Sequence, residues 1–184
     1  MAFPSLIVVS GPPGSGKTTL AHLIAQGVGC PAICRDELKE GMVHAHPGFV
    51  PGPVDELNLR TLPAFFGVVE YLLRAGITVV AEAAYQDKLW RPGLTPLLGL
   101  AAVRLVRCRV DPDTVAARIR RRYEENGLRA AAHGDLDHLA EVRERTLNFD
   151  PITLDVPTVD VDTTEGYSPT LPELITFAGE RASR

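Results

Sequence analysis

The eight residues Gly11-Pro12-Pro13-Gly14-Ser15-Gly16-Lys17-Thr18 match the phosphate-binding pattern G-x-x-x-x-G-K-[ST] at every fixed position. Their surroundings narrow the fold further. Leu6-Ile7-Val8-Val9-Ser10 is a β-branched apolar run of the kind that forms a parallel strand buried on both faces. Thr19 to Gln26 then places apolar residues at helical spacing, with Gly27 and Gly29 available as stops. Strand, glycine loop and helix in that order set converging backbone N–H groups and a helix N-terminus against an anion. In such a loop Lys17 reaches the β- and γ-phosphates and the Thr18 hydroxyl ligates Mg²⁺. The expected ligand is a nucleoside triphosphate.

The rest of the chain keeps the same alternation. Pro31 to Cys34 reads as a second strand ending at Arg35-Asp36, with a short helix from Glu37 to His44. Proline and glycine density makes His46 to Pro53 a loop. Leu59, Leu62, Phe65, Phe66, Val69, Leu72 and Leu73 recur at helical spacing up to Gly76, with Pro63 expected to kink that helix or start its second half. Ile77 to Ala81 is a third strand ending in Glu82. A helix follows from about Lys88, and a fourth strand from Ala102 to Val110. Asp111-Pro112 is a helix start with an Asp cap and proline at the first position. A helix near Leu136–Leu147, a fifth strand over Thr158–Asp162 and a helix from about Pro169 complete the pattern. Strands alternating with helices predict an α/β fold: a parallel sheet of five strands between helical layers, whose ligands bind at the strands' carboxyl ends. The glycine loop, Arg35-Asp36, Glu82 and Asp162-Thr163-Thr164 all fall at such ends.

Those positions carry the chemistry expected of phosphoryl transfer, which needs positioning and charge neutralisation. Asp36 is the candidate base for an acceptor hydroxyl; its position also permits a helix cap before Glu37. Arg35 is placed to touch the acceptor or a phosphate. Glu82 closes an apolar strand, where a carboxylate is costly unless a cation pairs with it, and is expected to contact Mg²⁺ or the acceptor. Arg118 and Arg122 share a helix face and can clamp a triphosphate, with Arg120, Arg121 and Arg129 nearby. Residues from about 120 to 134 have the punctuation of a mobile lid, and His133 lies close to it. Tyr85 and Trp90 flank the loop after the third strand and can line an acceptor pocket or pack in the core.

A chain of 184 residues is expected to form one domain over 1–184. Its net charge of −4 disfavours bulk nucleic-acid binding. Cys30, Cys34 and Cys108 form no C-x-x-C pair and read as small buried hydrophobes in a reducing compartment. The five histidines show no metal-ligand spacing. The first residues carry no basic segment, and their apolar run is too short for a signal or a membrane span, which gives a cytoplasmic expectation. Nothing in the sequence sets an oligomeric state.

Taken together, the glycine loop with its second threonine Thr19, Cys34-Arg35-Asp36-Glu37-Leu38, Val79-Val80-Ala81-Glu82-Ala83, and Arg118 with Arg122 resemble the small P-loop kinases. Within them the chain is similar to the group holding the polynucleotide kinase domain, chloramphenicol phosphotransferase and zeta-toxin-like kinases. The resemblance implies ATP and Mg²⁺ as cofactors, nucleotide contacts from Gly11 to Thr19, an acceptor base at Asp36 beside Arg35, and lid arginines at Arg118 and Arg122. It also implies a central phosphate-loop strand, and it sets Thr163 and Thr164 at the turn bordering the adenine ring. Polynucleotide kinases show an Asp-Thr-Asn type sequence after the third strand, where this chain has Glu82-Ala83-Ala84-Tyr85. The expectation is therefore a kinase acting on a hydroxyl of a small molecule, nucleoside-like or an antibiotic. A 5′-hydroxyl polynucleotide kinase and a nucleotide-driven regulatory ATPase are the alternatives.

Overall fold

Five strands carry the chain: β1 (Ser5–Ser10), β2 (Ala32–Cys34), β3 (Val79–Glu82), β4 (Ala102–Arg109) and β5 (Thr158–Asp162). They lie in a computed structural model that describes residues 3–46, 48–49, 56–125 and 139–180, with the backbone alone for 122–125. All pairings are parallel, in the order β2-β3-β1-β4-β5, so the strand that feeds the glycine loop is central. β1 is buried from Leu6 to Ser10 because strands pair with it on both edges and helices cover both faces.

The helices are α1 (Lys17–Val28), α2 (Arg35–His44), α3 (Glu56–Arg74), α4 (Asp87–Leu94), α5 (Pro112–Glu125), α6 (Leu139–Leu147) and α7 (Leu171–Gly179). The alternation of side chains along each strand sorts the core into two layers. Leu6, Val8, Val79, Ala81, Val103 and Leu105 pack against α3 and α4, around Phe65, Val69, Trp90 and Leu94. Ile7, Val9, Val80, Val106 and Val161 face α1 and α7, around Leu20, Ile24 and Leu174. Each such Val, Leu or Ile, fully buried, contributes about 1.5–3 kcal/mol relative to exposure.

Several boundaries differ from expectation for identifiable reasons. α1 runs through Gly27 and ends at Gly29. A Cβ at Gly27 would stand 2.7 Å from Ile175 Cγ1, so this glycine allows α1 and α7 to approach closely and is not a stop. Arg35 and Asp36 do not trail β2 but open α2, with Cys34 as the extended residue before the first turn. Pro63 lies on the exposed face of α3, which remains one helix; its buried stripe of Leu57, Thr61, Phe65, Val69 and Leu73 continues on both sides at four-residue spacing. A 3₁₀ turn over Thr95–Gly99 follows α4. Among the described residues no helix is long and apolar enough to cross a membrane.

Candidate functional site

Register brings the candidate residues together. Cys34 of β2 and Val9 of β1 both stand opposite Glu82 of β3, so the carboxyl ends of three adjacent strands finish at one level. The glycine loop leaves β1 there. Gly14 has φ +74°, and a Cβ on it would also meet Val115 Cγ1 at 2.7 Å, so both the turn and the packing of α5 demand glycine. Gly16, at φ +78°, turns the chain into α1, placing Lys17 and Thr18 as its first two residues.

Lys17 is 6% exposed and Glu82 1% exposed, unusual burial for charged groups. Lys17 Nζ lies 3.7 Å from Glu82 Oε1 and donates to the Pro12 carbonyl at 3.5 Å. The Thr18 hydroxyl donates to Glu82 Oε2 at 3.2 Å. Burial pushes the Glu82 carboxyl above its ordinary range; the Lys17 cation pulls it back and the nearby Asp36 charge pushes it further up. Glu82 Oε1 and Ser15 Oγ are buried and make no hydrogen bond. An unsatisfied carboxylate oxygen beside a threonine hydroxyl is a donor set suited to a hard divalent cation. Glu82 and Thr18 therefore fit Mg²⁺, and Ser15 and Lys17 fit phosphate oxygens.

Asp36 sits in the first turn of α2, where the helix dipole favours a carboxylate. It is the second residue inside that helix, so it is not the cap before Glu37 that its position in the sequence also allowed. Arg35 Nη1 donates to Asp36 Oδ1 at 3.0 Å and Arg35 Nη2 to Asn58 Oδ1 at 2.6 Å. Asn58 carries no motif in the sequence and joins the group because α3 packs beside α2.

On the other side of the loop, Arg118 of α5 donates through Nη2 to the carbonyls of Thr163 (2.5 Å) and Thr164 (3.0 Å), and through Nη1 to Gly14 (3.5 Å). Thr163 is buried, its hydroxyl 2.6 Å from the Ser15 carbonyl and 2.9 Å from that of Arg109. Thr164 Oγ1 accepts from the Asp111 amide at 3.0 Å. The turn after β5 is thus bound to the glycine loop through both a threonine and an arginine.

Tyr85 is fully buried, its ring 4.9 Å from that of Trp90 and 6.1 Å from that of Phe65. Its φ of +48° is rare for a bulky residue. Its hydroxyl makes no hydrogen bond. Burial holds its ionisation well above the ordinary range, and the Glu82 charge adds to that. Tyr85 and Trp90 pack with Phe65 in the core layer against α3 and α4 and are not an open pocket lining. Cys34 and Cys108 are buried and Cys30 partly so. Burial pushes the Cys34 thiol far up, with the charges of Glu82 and Glu37 adding to it, and pushes that of Cys108 up to about 12. The Arg122 side chain, Arg129, His133 and most of the expected lid lie outside the described residues.

The sequence matches a family described as AAA domain (AAA_33) over residues 6–146. No curated protein matches it. Among solved structures, a kinase candidate from Chloroflexus aurantiacus is similar at 22% identity and a TM-score of 0.86, covering 98% of this chain and 100% of its own. A gluconokinase from Sinorhizobium meliloti matches at 21% identity and 0.59, over 97% of this chain and 93% of its own. The Mycobacterium tuberculosis APS kinase, solved with AMPPNP and APS, matches at 17% and 0.60, over 98% and 100%. At these identities the likeness shows the fold: an α/β P-loop kinase fold.

Proposed function

The chain belongs to the AAA domain family that matches its residues 6–146, and from that membership and the site geometry we propose an ATP-dependent phosphotransferase that moves the γ-phosphate to a hydroxyl of a small molecule. One observation carries the reading. The Lys17–Thr18–Glu82 cluster, with its two charged members buried, and the Arg35–Asp36 pair stand at the same end of one sheet. A phosphate loop alone suits any nucleotide-binding protein. A second carboxylate held by an arginine beside that loop suits a protein that must also orient an acceptor. The gluconokinase and the APS kinase, which share this fold, are kinases of small molecules, which supports that class of acceptor.

In this reading Asp36 accepts the proton of the acceptor hydroxyl as its oxygen bonds to the γ-phosphorus and the bond to the ADP oxygen breaks. Arg35, fixed by Asn58, holds the Asp36 carboxylate in place. Lys17 neutralises charge on the phosphates, and Arg118 positions the glycine loop through Gly14. Thr18 and Glu82 would hold Mg²⁺, which would supply further neutralisation of phosphate charge. A panel of sugars, sugar acids, nucleosides, hydroxylated antibiotics and 5′-hydroxyl oligonucleotides, incubated with Mg²⁺ and ATP and followed by ³¹P NMR, tests the proposal. A new phosphomonoester from a small molecule is expected. Product from the oligonucleotides alone would move the assignment to polynucleotides, and ADP with free phosphate alone would make the protein an ATPase.

A further inference from the structure

At the carboxyl end of β2, where Cys34 stands beside Glu82 of β3, three metal-ligating side chains converge. His22 projects from α1, Cys34 ends β2, and Glu37 lies in the first turn of α2. His22 Nε2 is 2.7 Å from Glu37 Oε1 and 3.7 Å from Cys34 Sγ, and all three ligand atoms lie within 4.8 Å of one another. One ion can reach all three atoms once the His22–Glu37 pair opens from its 2.7 Å hydrogen bond to the roughly 3.3 Å that separates two ligands about 2.0 Å from a tetrahedral zinc. We propose that His22, Cys34 and Glu37 form a binding site for a thiophilic divalent cation of the zinc class, next to the Mg²⁺ position at Thr18 and Glu82 but built from other residues.

The donor set decides the class of ion. Thiolate and imidazole select zinc and similar borderline-soft ions, whereas Mg²⁺ demands octahedral oxygen. Charge balances as well: thiolate and carboxylate supply two negative charges to a divalent ion, and the thiol proton leaves to solvent. The His22 and Glu37 side chains are 51% and 45% exposed, giving an entry path and room for water as a fourth ligand. Three different elements present the ligands, so their spacing is fixed by the packing of α1, β2 and α2 and not by one flexible loop.

Cobalt and zinc binding to the nucleotide-free, full-length protein, in excess Mg²⁺, tests the proposal. Equilibrium dialysis should show one zinc ion per chain, and Co²⁺ should give a near-ultraviolet thiolate charge-transfer band together with visible bands of tetrahedral cobalt. Cys34→Ser should remove the charge-transfer band. His22→Ala and Glu37→Ala, both at exposed positions, should each weaken zinc binding by about tenfold or more, and they decide the matter if the buried cysteine variant does not fold. Absence of zinc binding, cobalt binding without the thiolate band, or affinity unchanged in both exposed variants would overturn it. This outcome is independent of turnover, so it stands or falls apart from the phosphotransferase reading.

Discussion

Asp36 gains its importance from its neighbour. A carboxylate in the first turn of a helix is stabilised in its charged form wherever it occurs, but the contact with Arg35, itself held by Asn58, fixes which way this one points. Asp36→Asn should leave folding and nucleotide affinity near wild type while lowering the turnover number by roughly 10²–10⁴, the range for loss of a general base. Steady-state kinetics with the identified acceptor checks this, and a near-normal rate would assign the proton to another group. Arg118 presents a different case, since its guanidinium reaches three carbonyls on two segments. Lysine keeps the charge but not the planar fork. Arg118→Lys should therefore reduce turnover by about tenfold or more and shift the melting temperature by only a few degrees. Thermal unfolding and kinetics on one preparation separate the two effects.

At the scale of elements, the loops that shape the cleft are tied down by polar side chains. Thr163 joins the turn after β5 to Ser15 of the glycine loop and to the end of β4. Thr163→Val keeps the shape and the Thr163 amide bond to Arg109 but strands the buried Ser15 carbonyl, so it should cost about 1–3 kcal/mol in denaturant unfolding. Asp87, the first residue of α4, accepts from the Arg91 guanidinium at 2.6 Å and from the Thr153 amide at 2.9 Å, fixing the segment before β5. The Arg91 hydrogen bonds, then that of the Thr153 amide, lower the Asp87 carboxyl below its ordinary value. The native state then binds fewer protons than the unfolded one below about pH 4, so the contribution is present above that pH and is lost as pH falls through the lowered value. Asp87→Asn should accordingly lower the melting temperature at pH 7 and converge with wild type in acid, a difference that scans at several pH values would show.

The strands and most helices were legible because β-branched runs such as Ile77 to Ala81 and the apolar spacing of α3 are local signals. The phosphate loop was legible because a motif fixes residue type at fixed offsets. What escaped was non-local. Gly27 read as a stop because the Ile175 side chain that needs its space lies far along the chain. Arg35 read as a strand end because three residues of β2 leave little room to mark where the helix starts. Asn58 meets Arg35 across 23 positions, and His22 meets Glu37 across 15, distances over which no spacing rule applies.

For the whole molecule, the central strand β1 delivers the glycine loop between two kinds of partner. β2 and β3 bring the carboxylates Asp36 and Glu82, and β4 and β5 bring the turn that Arg118 and Thr163 bind to the loop. A protein that only switches with nucleotide needs the glycine loop, Glu82 for its metal and a positioned water; one that transfers phosphate to a bound acceptor also needs Asp36. The most direct test measures the rate of ADP formation from Mg²⁺ and ATP with and without acceptor, in wild type and in Lys17→Ala. The account predicts slow ADP formation by wild type alone, a large increase when the acceptor is added, and a rate lowered by about 10²-fold or more in Lys17→Ala under both conditions. Rapid ADP formation that no acceptor changes, or a Lys17→Ala variant that keeps most of the wild-type rate, would contradict it.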